Sequence, residues 1–295
     1  MTKLLCIGEC MIELAPTADG TFSMGFAGDT LNTAWYARRL AGPKVEVAYL
    51  TAVGDDEPSA RLRAFVTSAG IVPDFAVRPD SSVGLYMISL KDGERSFSYW
   101  RSASAARTLA DDLTELPGLR ADDTVYFSGI TIAILPVAGR ERLLDALEKA
   151  RAAGVRIAFD PNLRPRLWPD TDTMCDWIMR AATVADVALP SFEDEQTFFE
   201  DADTHATAGR YAGTGARIVV VKNGDAPVLL QTSEGNSTVG TEPATAVIDT
   251  TAAGDSFNAG FLVGLIEGLS AEDAVKQGCA LARKVICARG ALVEV

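Results

Sequence analysis

Residues 245–269 read T-A-V-I-D-T-T-A-A-G-D-S-F-N-A-G-F-L-V-G-L-I-E-G-L, and the two ends of this stretch call for different structures. T-A-V-I-D is a short apolar run, the pattern of a strand that ends at Asp249. From Ser256 onward the apolar residues cover most sides of a helical wheel, which is the pattern of a buried helix. The stretch is therefore strand, turn and helix, half of a βα unit. In the turn, Ala252, Ala253 and Gly254 have almost no side chain, so a ligand can approach their backbone N–H groups closely. The unpaired donors and positive dipole end of the helix favour an anion there. A carboxylate, Asp255, follows at once. On one reading it caps the helix, worth about 1 kcal/mol. On the other, the dipole keeps it ionised while it takes a proton from an alcohol attacking a phosphate, with the neighbouring N–H groups neutralising charge on the transferred group. Only the second reading accounts for the small residues before the acid.

Working outward, the same alternation runs through the chain. The segments K-L-L-C-I-G (3–8), V-E-V-A-Y-L (45–50), T-V-Y-F-S-G (124–129), R-I-A-F-D (156–160), V-A-D-V-A-L (184–189) and A-R-I-V-V-V-K (216–222) read as strands. Between them lie stretches such as 31–40, 60–70 and 137–151, whose apolar residues recur every three or four positions. The pattern predicts an α/β fold: a mostly parallel sheet with helices on both faces and ligands gathered beyond the carboxyl ends of its strands. Residues 11–27 and 83–100 break the rhythm. They alternate apolar with polar residues and carry D-G turns, Asp19-Gly20 and Asp92-Gly93, the pattern of hairpins. These predict a small accessory sheet, a lid within about 11–27 and 75–103, inserted in one domain that spans 1–295. No repeat, low-complexity tract or long linker marks a second unit.

Composition removes several function classes. The 295 residues are 48% hydrophobic and 23% charged, and no apolar run reaches the roughly 20 residues of a bilayer span. Glu9 and Glu13 interrupt what would have to be the core of a signal peptide, so a cytoplasmic protein is expected. Five cysteines, with no C-x-x-C spacing, suit neither a disulfide framework nor a zinc site. A net charge of −13 opposes general affinity for nucleic acid or anionic membranes. No Gly precedes a Lys, which excludes a Walker A loop, and Gly213-x-Gly215 lacks the third glycine of a dinucleotide fingerprint. The sole histidine, His205, lies in a polar stretch and reads as an exposed helix position.

D-T-T-A-A-G-D-S-F-N-A-G-F, from Asp249 to Phe261, resembles the C-terminal signature of the ribokinase-like (PfkB) sugar kinases. A-G-D-T-L-N-T-A, from Ala27 to Ala34, is similar to that family's N-terminal substrate motif, and the likeness runs over nearly the whole chain in matching order. It implies a three-layer α/β/α body with a β-sheet lid, Asp255 as catalytic base, Ala252, Ala253 and Gly254 as anion hole, and ATP with Mg²⁺ as the phosphoryl donor. Within the family, G-E-R-S-F-S-Y-W-R (93–101), D-P-N-L-R-P-R-L-W (160–168) and L-P-S-F-E-D-E (189–195) look like the kinases of 2-keto-3-deoxygluconate, a sugar acid. By that likeness Gly28, Asp29 and Asn32 hold sugar hydroxyls, and Tyr86 and Tyr99 line the lid side. Arg101 and Arg164 face the acid and keto end or the phosphates. A guanidinium matches a carboxylate with two parallel charged hydrogen bonds, which supports the arginines in that role.

The nucleotide side is implied for Asn162, Lys222, Asn223 and Gly224, although K-N-G also fits a plain hairpin turn. Where relatives carry N-x-x-E for magnesium, this chain has Ser191-Phe192-Glu193-Asp194, which leaves Asp194 and Glu195 to act through waters or merely to begin a helix. Each site residue also has a plain structural reading: Tyr99 packing on an edge, Arg101 as a solvated rim charge, Arg164 bracing a loop between prolines. Their joint occurrence in family order favours function. The expected activity is phosphorylation of the sugar acid's terminal hydroxyl. The alternatives are a fructokinase or other sugar kinase of the same fold, a non-catalytic sugar or nucleotide sensor, and a nicotinamide oxidoreductase. The lid edge also offers a surface for pairing with a second copy.

Overall fold

A parallel strand buried on both faces divides its side chains between two cores. In the computed structural model, which describes residues 1–91 and 94–295, β1 (Thr2–Ile7) sends Leu5 and Ile7 into one core and Leu4 and Cys6 into the other. The chain continues through β2 (Met11–Pro16), β3 (Phe22–Ala27), α1 (Asp29–Leu40), β4 (Val45–Val53), α2 (Glu57–Ser68) and β5 (Val72–Val77). Next come β6 (Leu85–Lys91), β7 (Glu94–Trp100), β8 (Thr124–Ser128), α3 (Gly129–Ile134), α4 (Val137–Ala152) and β9 (Arg156–Asp160). The remainder is α5 (Thr171–Ala182), β10 (Val187–Ala188), α6 (Phe192–Phe198), α7 (Thr204–Gly213), β11 (Ile218–Val221), β12 (Val228–Thr232), β13 (Gly235–Val239), α8 (Ala253–Ile266) and α9 (Ala271–Val285).

Nine strands form the main sheet in the order β13-β12-β11-β10-β9-β8-β1-β4-β5, all running the same way except β12, which is antiparallel to both its neighbours. One face is covered by α3, α4, α5 and α7 through Ile132, Leu143, Ile178 and Tyr211. The other is covered by α1, α2, α8 and α9 through Leu31, Leu62, Phe261 and Val275. Helix α8 is apolar all round because it is buried between neighbours. It approaches α9 so closely that a Cβ on Gly260 would lie 2.8 Å from the Cα of Gly278. The sheet grows outward from β1 in both directions, to β4 and β5 on one side and to β8 through β11 on the other. The strand order therefore reverses between β1 and β8, and a crevice opens at such a switch point beyond the carboxyl ends of the strands.

A second sheet of four strands, ordered β3-β2-β6-β7, is built from two antiparallel pairs joined by parallel β2 and β6. Gly20, at φ 82°, turns the first pair as its D-G signal requires. The Asp92-Gly93 signal lies outside the described residues. Two expectations need correction. Residues 75–77 finish β5 of the main sheet and do not belong to the small one. T-A-V-I-D is no strand: the amides of Ile248 and Asp249 donate to the Ile286 carbonyl beyond α9, at 2.8 and 3.2 Å, and Val247 and Ile248 stay exposed. The apolar run is docked on a helix end and has no place in the sheet.

Candidate active site

The carboxyl ends of β1, β8, β9 and β11 and the face of the small sheet enclose a cleft of about 430 Å³. The turn 250–254 closes one side. Asp249 holds this turn: one carboxylate oxygen accepts from the Thr251 amide and hydroxyl at 3.1 and 2.7 Å, and the other accepts from the Gly290 amide at 2.8 Å. Ala252 takes the left-handed conformation, φ 60° and ψ 17°, as the residue before α8, a backbone that costs an L-residue about 1–2 kcal/mol. The Ala253 N–H is used within the turn, donating to the Thr250 carbonyl at 3.2 Å. Anion-binding capacity therefore rests on fewer amides than three small residues promise.

Asp255 stands in the first turn of α8, and its side chain does not cap that helix. It lines the cleft instead, where Asn32 donates to its Oδ2 at 2.8 Å. Burial first, and then the charge of Asp29, push this carboxyl up to about 7, against the opposing pull of Asn32 and Lys222. The expectation that the helix dipole keeps it ionised is corrected accordingly, since burial and a second acid raise its affinity for a proton. Asp29 is raised as well, chiefly by burial, while Ser128 and Asn162 hold it down. Asn162, at φ 36°, donates to Asp29 at 2.8 Å, and its amide donates to Asp160 at 3.1 Å. Gly28 must lack a side chain, because a Cβ there would stand 2.2 Å from the Glu9 carbonyl.

Tyr86 and Tyr99 line the cleft from the small sheet, their rings 5.9 Å apart. The Tyr86 hydroxyl donates to Glu13. Arg101 and Arg164 also line it, and Arg164 in addition braces its loop by donating to the Leu163 carbonyl at 2.7 Å. Each is already paired, Arg101 with Glu9 and Arg164 with Asp194 at 3.7 Å. Lys222 donates to Asp160 at 2.8 Å and to Asn258 at 3.3 Å, beside the anion turn. Asn223 and Gly224 do not line the cleft. They form the hairpin turn between β11 and β12, where the Ala226 amide donates to the Asn223 carbonyl at 2.9 Å and Gly224 has φ 59°.

Glu195 corrects the metal expectation. It is fully buried, accepts from Arg210 at 2.8 Å and from the Tyr211 hydroxyl at 3.0 Å, and is raised by burial to about 7. It points into the helical layer, away from the cleft. Asp194, one position earlier on α6, does reach the cleft. Among the described residues no cluster of three or more His, Cys, Asp or Glu forms a metal cage.

Three contributors escaped the sequence reading. Glu9 follows β1, Asp160 ends β9 and Asn258 lies one turn into α8. All three are buried. The signal available was an acid at the end of an apolar parallel strand, present in both I-G-E and A-F-D.

A sheet whose order reverses at a cleft, overhung by a small sheet and closed by an acid-bearing helix start, is the ribokinase-like architecture. A fructokinase from Vibrio cholerae O395, solved with fructose, ADP and calcium, superposes with a TM-score of 0.86 at 25% identity over 99% of this chain and 94% of that one. Aminoimidazole riboside kinase from Salmonella enterica, solved with its riboside and an ATP analogue, shares the fold with a TM-score of 0.85 at 23% identity over 98% and 94%. The chain belongs to the pfkB family of carbohydrate kinases, whose family model matches residues 1–294. Among curated relatives, 2-dehydro-3-deoxygluconokinase of Dickeya dadantii is 38% identical over 99% of this chain and 96% of its own length. That of Haemophilus influenzae is 36% identical over 100% and 96%.

Proposed function

We propose that the protein transfers the γ-phosphoryl group of ATP to the terminal hydroxyl of 2-keto-3-deoxygluconate (2-dehydro-3-deoxygluconate), giving the 6-phosphate and ADP. The observation that carries this reading is one cleft with Asp255 beside the anion turn on one wall and Arg101 and Arg164 on the others. The names of several full-length relatives at 36–38% identity support the acceptor.

In this reading Arg101 and Arg164 hold the acceptor's acid end, Gly28, Asp29 and Asn32 hold its hydroxyls, and Tyr86 and Tyr99 cover it. Asp255 takes the hydroxyl proton as the oxygen bonds to the γ-phosphorus and the bond to the β-phosphate oxygen breaks, leaving the electron pair on ADP. The Gly254 amide, the start of α8 and the Lys222 ammonium lie where charge on the transferred group needs stabilising. Asn162, linked to Asp29 and Asp160, fixes the wall between acceptor and nucleotide. Magnesium bound with ATP would supply charge neutralisation at the phosphates, and Asp194 would be the carboxylate to hold it. Free cysteines and a need for ATP agree with a cytoplasmic setting.

Fructokinase remains the second reading, and a specific observation favours it. Every cation lining the cleft among the described residues already has a carboxylate partner, so the cleft offers an acidic sugar no spare positive charge. An ADP-release assay across sugars and sugar acids separates the two. The proposal expects turnover with 2-keto-3-deoxygluconate to exceed that with fructose or ribose. Ready use of the neutral sugars with none of the acid overturns it.

A further inference from the structure

The ion pair that weakens the sugar-acid reading also shows how that reading works. Glu9 occupies the short connection between β1 and β2 and is only 2% exposed. A carboxylate sealed from water is tolerated when its oxygens are spoken for. Here Oε1 accepts from the Ser104 hydroxyl, and Oε2, which has no hydrogen-bond donor, is held by the ion pair with Arg101 Nη2 alone. The carboxylate cannot swing elsewhere. Its backbone is pressed against Gly28, and a Cβ on Gly84 would stand 2.9 Å from its Oε1 and 3.3 Å from the Arg101 Cβ. Glu9 thus ties the segment leaving β7, residues 101–104, to the end of β1. Arg101 Nε is buried and without a partner. Because the five donors of a guanidinium form a rigid fork, fixing Nη2 fixes the direction of the rest.

We propose that Glu9 determines acceptor specificity by positioning Arg101, holding its guanidinium so that its remaining N–H groups meet the carboxylate of the sugar acid. Glu9 borders the cleft but is almost fully buried, and in this proposal it acts through the arginine as a positioning residue. The proposal rests on the sugar-acid reading above.

Steady-state kinetics of Glu9→Gln, Arg101→Ala and the double variant test it, with 2-keto-3-deoxygluconate and with fructose as acceptors. Glu9→Gln keeps the shape and the Ser104 contact but releases the ion pair. Its KM for the acid is expected to rise about tenfold, with kcat, KM for ATP and any KM for fructose within about twofold. In the Arg101→Ala background the same substitution is expected to change KM for the acid by less than about twofold, because residues acting as one unit are not additive. An unchanged KM for the acid in Glu9→Gln, or effects that multiply in the double variant, overturns the proposal. A merely structural Glu9 would lower thermal stability and leave the acid-to-fructose ratio alone. If Glu9→Gln does not fold, Ser104→Ala loosens one of the two holds, and a KM rise of about two- to threefold that vanishes without Arg101 is expected. Failure of the sugar-acid reading itself is visible in the unsubstituted enzyme, as turnover of fructose and not of the acid.

Discussion

Asp255 is a base whose affinity for protons is set by its neighbours. Burial and the adjacent Asp29 raise its carboxyl to about 7, so it gains its proton as pH falls through neutrality. Activity is therefore present above that value and lost below it. In the free enzyme, kcat/KM is expected to fall about tenfold per pH unit below about 7, and a pH–rate profile checks this. A profile flat down to pH 5 would mean that Asp255 is not the base. Lys222 opposes the rise and Asp160 adds to it, so a variant at either position should move the inflection. Arg101→Ala removes a guanidinium from the acceptor end and is expected to raise KM for the sugar acid about 10- to 100-fold with kcat nearly unchanged. Equal losses in KM for ATP would place Arg101 on the nucleotide side instead.

At the scale of elements, the start of α1 is packed against the β1–β2 connection through Gly28. Gly28→Ala would press a methyl group to 2.2 Å from the Glu9 carbonyl, and is expected to cost about 1–3 kcal/mol of stability. Loss of acceptor binding should accompany it, because Asp29 and Asn32 move with the helix. Denaturant melts and acceptor titrations read the two effects, and a variant as stable and active as its parent would contradict this packing. The sequence made the body legible because strands such as V-A-Y-L and I-V-V-V are apolar without a break, and few structures other than a two-sided sheet accommodate that. It misled at T-A-V-I-D, where a β-branched run docks on the end of α9. It could not separate Asp194 from Glu195, which are neighbours in the chain but point to different sides of α6. Glu9 and Asp160 were harder still. Each is a lone acid at a strand end, and only the sheet order brings them to one cleft.

For the whole molecule, the small sheet overhangs the cleft, and phosphoryl transfer must keep water from ATP. Closure of this sheet over bound acceptor and nucleotide is expected to reduce the radius of gyration measured by small-angle X-ray scattering. An unchanged radius with both ligands present would show a cleft already closed. Phe22, Met24, Phe97 and Trp100 leave apolar surface exposed on the small sheet, and pairing with a second copy there would bury it. Light scattering reads the mass directly.

The most direct test of the catalytic account is the turnover number of Asp255→Asn with 2-keto-3-deoxygluconate and saturating Mg-ATP. The substitution preserves shape and the contact with Asn32 while removing the proton acceptor. A kcat lower by about a thousandfold at nearly unchanged KM is the expected result. A kcat within tenfold of the parent enzyme would contradict the account.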